Sequence, residues 1–261
     1  MSSGIALVTG AAGGIGAAVT KRLVENQYTV LALGRHQEAL AALQEECPAR
    51  ILPVVFDVTS PQPLWLTGLV NIFSYYDIPP RIDVLVCAHG HPPITNTSSV
   101  ALSVPMEFGP VIFTDLVGAF TASQAILPYM IRQQSGSIIY ISSLHAHQTY
   151  PARASYAAAK AGVCGMARSL ALEFGKEGIR INTILPWQVD GKRTTMIAHA
   201  HEQKTGEDLQ SRYLRRSPIH ALIPENDIAD AALFLINNRS CHGMELVLDG
   251  GVSASMWHED F

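Results

Sequence analysis

The chain has 261 residues, 48% of them hydrophobic and 15% charged, with a net charge of −4. That composition excludes a disordered protein and suffices for one sizeable core. The acidic balance offers no basic surface, so neither nucleic acid nor an anionic membrane is expected as a partner. Met1-Ser2-Ser3-Gly4 runs into a strand-like segment without the basic start and apolar centre of a signal peptide. No apolar run of membrane-spanning length is expected, because Glu107, Asp115 and several prolines interrupt the most apolar stretch. Cys47, Cys87, Cys164 and Cys241 have no metal or redox spacing, which predicts reduced thiols, no metal site and a cytoplasmic location.

Short β-rich runs alternate with longer helical patterns. They predict one α/β domain over residues 1–261: a Rossmann-type, doubly wound parallel sheet of about seven strands with helices on both faces. Strands are expected at 5–9, 28–33, 51–56, 82–87, 137–142, 180–184 and 244–248, with the clearest helices at 14–26, 39–46 and 154–176. Residues 188–217 break the rhythm, with six basic and four acidic residues and little apolar periodicity. An insertion there is expected to form a substrate lid over the sheet's carboxyl edge.

The first strand ends in Thr9-Gly10-Ala11-Ala12-Gly13-Gly14-Ile15-Gly16, followed by an amphipathic helix. Glycines there permit a tight turn and let a pyrophosphate approach backbone N–H groups at a helix N-terminus. Strand, loop, helix and second strand together predict a dinucleotide site using Thr9, Gly10, Gly14, Ile15 and Gly16. The second strand leads into Leu33-Gly34-Arg35-His36, where an NAD site usually offers an acid to the ribose. No carboxylate repels a 2′-phosphate here and Arg35 can fork onto one, so NADP(H) is favoured over NAD(H). Asp57 and Val58, after the third strand, are expected near the adenine; capping the next helix is the other reading of Asp57.

Ser155-Tyr156-Ala157-Ala158-Ala159-Lys160 opens an alanine-rich helix. Tyr156 and Lys160 stand four apart and share a face. An ammonium near a phenol favours the phenolate, which makes a proton donor and acceptor usable near neutrality.

The glycine loop and the Tyr-x-x-x-Lys pair resemble the short-chain dehydrogenase/reductase family, and further motifs follow in order. Cys87-Ala88-His89-Gly90 looks like an altered Asn-Asn-Ala-Gly motif, Ser143 lies 13 positions before Tyr156, and Asn182-Thr183-Ile184-Leu185-Pro186-Trp187 resembles Asn-x-x-x-Pro-Gly. Asp249-Gly250-Gly251 matches the C-terminal signature. The resemblance implies ketone reduction or secondary-alcohol oxidation. Ser143 would hold the substrate oxygen, Tyr156 move its proton, and Lys160 bind nicotinamide ribose. Ala88, Gly90, Pro186 and Val189 would line the cofactor. It also implies a homodimer or homotetramer built through long helices. Two departures stand out. Asp115 occupies the place of a catalytic asparagine whose carbonyl helps hold a water relay, and Trp187 replaces a glycine beside the nicotinamide, where its bulk is expected to take up space, border the substrate and reshape the pocket or push the lid outward. Gly191 stands where a nicotinamide-contacting threonine is usual, with Thr194 and Thr195 beyond it.

The segment between serine and tyrosine is expected to border a small-molecule substrate through His145, His147 and Arg153, with His89 and His91 near the same edge. Lys192, Arg193, Arg212, Arg215 and Arg216 add charge from the insertion. Such groups suit a polar, sugar-like or acidic substrate better than a steroid or fatty chain; solvated loop residues are the plainer alternative. Two other functions stay open: a non-catalytic nucleotide sensor or scaffold, and an epimerase or dehydratase working through a transient ketone.

Overall fold

A computed structural model describes residues 4–91 and 105–254. Its strands are β1 (Ile5–Thr9), β2 (Thr29–Gly34), β3 (Ile51–Val55), β4 (Val84–Cys87), β5 (Gly136–Ile141), β6 (Ile179–Pro186), β7 (Val189–Asp190), β8 (Ile223–Pro224) and β9 (Glu245–Leu248). Seven of them form one parallel sheet in the order β3-β2-β1-β4-β5-β6-β9. The order reverses between β1 and β4, which opens a crevice beyond their carboxyl ends.

Alternate residues of each strand feed two cores, as the strand period of two requires. Leu7, Leu31, Leu85 and Ile138 pack under α3 (Gln62–Tyr75), α5 (Gly118–Gln133) and α6 (Ala154–Phe174). Ala6, Val8, Val30 and Ile139 pack under α1 (Gly14–Glu25), α2 (Gln37–Glu45) and α9 (Glu225–Asn237). Burial on both faces explains why the strands read as continuous apolar runs. Predicted and observed strand edges differ by one or two residues, as fraying ends do.

Two differences from the sequence reading bear on the site. Phe108–Gln133 is helical throughout and long and apolar enough to cross a bilayer, with half of its apolar window buried inside the protein. Glu107 and the prolines do not interrupt that rod. α4 (Pro105–Ile112) passes into α5 through one wide π turn at Phe113–Val117, and Asp115 sits on that turn. Residues 188–217 are mostly regular: α7 (Lys192–Thr205) and α8 (Leu209–Arg216), hinged on the short β7–β8 ladder. Their fully buried residues are only Thr194 with Ala198, and Leu209 with Tyr213, each pair four apart on a narrow face. Asp208 caps α8 by accepting from the Ser211 N–H at 3.0 Å.

Candidate active site

A cleft of about 730 Å³ follows the carboxyl edge of the sheet across the switch point. One end is the glycine loop. Gly10 has φ +67°, and a Cβ there would lie 2.7 Å from the His89 Cα; a side chain at Gly16 would strike the Gly10 carbonyl oxygen. Only a bare backbone fits, leaving the α1 N-terminus open to a pyrophosphate. Gly10, Gly14, Ile15 and Gly16 all line the cleft, so the residues present fit a dinucleotide. Thr9 does not line it. It is buried, with its hydroxyl 2.6 Å from His89 Nδ1, and it braces the loop from behind.

Arg35 and His36 line the cleft beyond β2, and Arg35 approaches Asp57 at 4.0 Å. The other Asp57 oxygen accepts the Thr59 N–H and hydroxyl at 2.9 and 2.8 Å, so this carboxylate holds a turn while facing the cleft. Val58, Ala88, Gly90, Pro186 and Val189 line it too. Glu225, which the sequence reading missed, lies against Gly14 and Gly191, and burial followed by the Asp190 charge raises its pKa. Its place at the start of α9 is visible only once that helix packs on α1.

At the other end, Ser143 and Tyr156 line the cleft. Ser143 caps a short 3-10 turn (Leu144–Ala146), its Oγ accepting the His145 N–H at 3.2 Å. Around the Tyr156 ring stand the His145 ring at 5.5 Å, Lys160 Nζ at 5.5 Å and Arg193 Cζ at 5.7 Å. Lys160 does not itself line the cleft. It is buried behind the tyrosine, 3.3 Å from Asp115 Oδ2, and donates to the Ile141 carbonyl at 3.3 Å. Burial opposes its charge, but Asp115 and then Tyr156 outweigh that, and the lysine pKa is raised. The other Asp115 oxygen accepts the His91 N–H at 2.5 Å. The π turn thus brings this carboxylate directly to the lysine, an ion pair that an asparagine could not make.

Trp187 neither fills the cleft nor pushes the insertion away. It is buried with Leu144, Ala198, Leu209, Tyr213 and Val252 in a small core under α7 and α8, one edge still on the cleft. Its Nε1 donates to the Tyr150 hydroxyl at 3.2 Å. Gly191 and Thr194 line the cleft as well. Tyr150 and Tyr213, both missed from sequence, form the outer wall with Arg153.

His145 faces the cleft, with Nδ1 2.8 Å from the Thr149 hydroxyl. His147 corrects the sequence expectation: it lies outside the lining, with Nε2 2.6 Å from Glu245, because the turn after Ser143 rotates it outward. Of the basic residues in the insertion, Lys192 and Arg193 line the cleft. Arg212 pairs with Glu207 instead, Arg215 lies outside the lining, and Arg216 stacks over the Tyr150 ring at 5.3 Å.

His89 and His145 are both pushed down to about 4, by burial first, then by Lys160 for His89 and by Arg153 for His145. Both are neutral near pH 7. A depressed folded pKa means the unfolded chain takes up these protons first. Their contribution is therefore complete above the unfolded value of about 6.5 and is lost as pH falls toward 4. Urea midpoints should drop across that window, and less so in a His89→Gln/His145→Gln double variant. An equal drop in both proteins would contradict the assignment.

The family model described as short chain dehydrogenase matches residues 4–204. The 3-oxoacyl-[acyl-carrier-protein] reductase FabG of Thermotoga maritima is 31% identical over 253 residues, covering 95% of this chain and 97% of that one. The protein of the same description from Chlamydia trachomatis is also 31% identical, covering 95% and 96%. Among solved structures, an oxidoreductase of the short chain dehydrogenase/reductase family from Burkholderia thailandensis superposes with a TM-score of 0.81 at 29% identity, covering 98% and 94%. With the parallel sheet, the glycine loop and the serine–tyrosine cleft in agreement, the chain belongs to the short chain dehydrogenase family, as an NAD(P)-dependent oxidoreductase acting on CH–OH and keto groups.

Proposed function

We propose that the protein interconverts a ketone and a secondary alcohol with NADP(H), using Ser143, Tyr156 and Lys160, on a polar substrate. The observation that carries this reading is Tyr156 on the cleft wall, backed by the buried Lys160–Asp115 pair at 3.3 Å. When bound, the nicotinamide supplies or accepts the hydride. In the reducing direction the Ser143 hydroxyl holds the carbonyl oxygen and the Tyr156 hydroxyl donates its proton to it. The Lys160 ammonium steadies the phenolate left behind. Asp115 keeps that ammonium charged and fixed. α7 and α8 act as the lid, with Trp187 as its root.

Arg35 supports the preference for NADP(H). Arg35→Ala should weaken NADPH by one to two orders of magnitude, about 1.5–3 kcal/mol for a charged contact, and NADH much less. Fluorescence titration checks it; equal loss for both cofactors would remove the 2′-phosphate role. A cytoplasmic location fits four cysteines that all remain thiols. Homo-oligomerisation through the long helices fits Phe113, Phe120 and Leu172, which are 51%, 46% and 89% exposed.

A second reading takes its support from the relatives, which are described as 3-oxoacyl-[acyl-carrier-protein] reductases. On that reading the ketone arrives as an acyl thioester. Turnover of small ketones, sugars, oxo acids and a 3-oxoacyl thioester, with NADPH and NADH, separates the two.

A further inference from the structure

Resting on the dinucleotide reading of the cleft, we infer that Glu225 sets the pH range of cofactor binding, its carboxylate opposing the pyrophosphate until it takes up a proton. Three helices begin around this residue. Glu225 is the first residue of α9, Gly14 is the first of α1, and Gly191 caps α7. A side chain on Gly14 or Gly191 would run into Glu225 Oε1, so the carboxylate lies directly on both backbones. Glu225 is half-buried and lines the cleft together with Gly13, Gly14 and Ile15. It therefore forms one wall of the opening at the α1 N-terminus. Helix N-termini attract anions, so the carboxylate and a pyrophosphate seek the same positive ends.

Among the described residues, none donates a hydrogen bond to this carboxylate or forms an ion pair with it. The charged groups that face it are Asp190 of β7, Lys21 of α1 and Lys192 of α7. Lys21 is already paired with Glu46 at 2.8 Å, and Asp190 sets a second negative charge against the remaining lysine. Burial and then Asp190 raise the Glu225 pKa, and the two lysines do not reverse that. A pyrophosphate brings more negative charge to the same side and raises it again. The protonated form of the protein consequently binds the cofactor more tightly. Affinity is highest below the pKa of the free protein, falls as pH rises through it, and levels off above the pKa of the complex. A like charge beside a carboxylate changes its ionisation about tenfold, and linkage puts the same factor into the affinity.

The test is calorimetry of ADP-ribose, NADH and NADPH binding to the full chain between about pH 5 and pH 8. ADP-ribose is the main probe, because it carries the pyrophosphate without the 2′-phosphate of NADPH, which itself titrates at about pH 6. Two buffers of different ionisation enthalpy count the protons taken up on binding. Native Kd for ADP-ribose should rise about tenfold across the range, with proton uptake on binding. Glu225→Gln keeps the shape and removes the charge. It should bind about tenfold tighter than the native protein at pH 8, approach it toward pH 5, and take up no proton. Asp190→Asn should move the native rise in Kd to lower pH. Equal Kd in the native protein and Glu225→Gln at pH 8, weaker binding by that variant, or equal proton uptake by both would overturn the inference. Binding of ADP-ribose by the native protein without proton uptake anywhere in the range would overturn it without any variant. If Glu225→Gln does not fold, an Asp190→Asn profile identical to the native one overturns it. Failure of all three nucleotides to bind any of these proteins would overturn the dinucleotide reading and the inference with it.

Discussion

Tyr156→Phe should lower kcat by roughly 10²- to 10⁴-fold, the range for loss of a positioned proton donor, with NADPH affinity unchanged. The phenylalanine keeps the ring that packs against His145 at 5.5 Å and removes only the hydroxyl at the cleft surface. The loss should fall on kcat and not on KM, because the proton moves in the transition state. Stopped-flow turnover together with NADPH fluorescence titration would check both halves. Native kcat in this variant would contradict the assignment of the proton donor. Lost cofactor affinity would show instead that the hydroxyl supports the nucleotide.

Asp115→Ala should cost about 3–5 kcal/mol of folding stability, the usual result of stranding one member of a buried ion pair. Lys160 and Asp115 side chains are 6% and 0% exposed, so solvent cannot replace the lost partner. Asp115→Asn should cost less, since an amide oxygen can still accept the His91 N–H that Oδ1 takes at 2.5 Å. The lysine pKa is raised in the fold, so its share of the stability is complete below the unfolded value of about 10.4 and fades as pH rises through the folded one. Urea unfolding at pH 7 measures the difference. An asparagine variant as stable as the native protein would show that the charge of Asp115 contributes nothing, and alanine and asparagine variants of equal stability would show the same of the bond from the His91 N–H.

The sheet could be read from the sequence because each strand is covered on both sides, and such strands appear as apolar runs at regular spacing. The glycine loop and the interval from Ser143 to Tyr156 could be read because chemistry and backbone geometry fix them locally. The Lys160–Asp115 pair could not. The residues lie 45 apart, and their meeting depends on one π turn in a helix whose apolar pattern gives no sign of it. His147 was legible only as a residue near the serine; a three-residue turn sends it to Glu245, 98 positions away. The two helices of the insertion bury so few residues that charge hid their periodicity. Trp187 looked like an obstruction because the Tyr213 and Leu209 that receive it arrive from that insertion.

Hydride transfer coupled to the Tyr156 proton is tested most directly by deuterium tracing. The protein is mixed with 4-deuterated NADPH, as the separate 4R and 4S forms, and a panel of short oxo acids, phosphorylated ketones and neutral ketones, beside Tyr156→Phe. The account predicts deuterium on the carbinol carbon from one of the two forms, and almost none with the variant. NADPH that binds but transfers no deuterium to any ketone, or equal transfer with and without the Tyr156 hydroxyl, would contradict it.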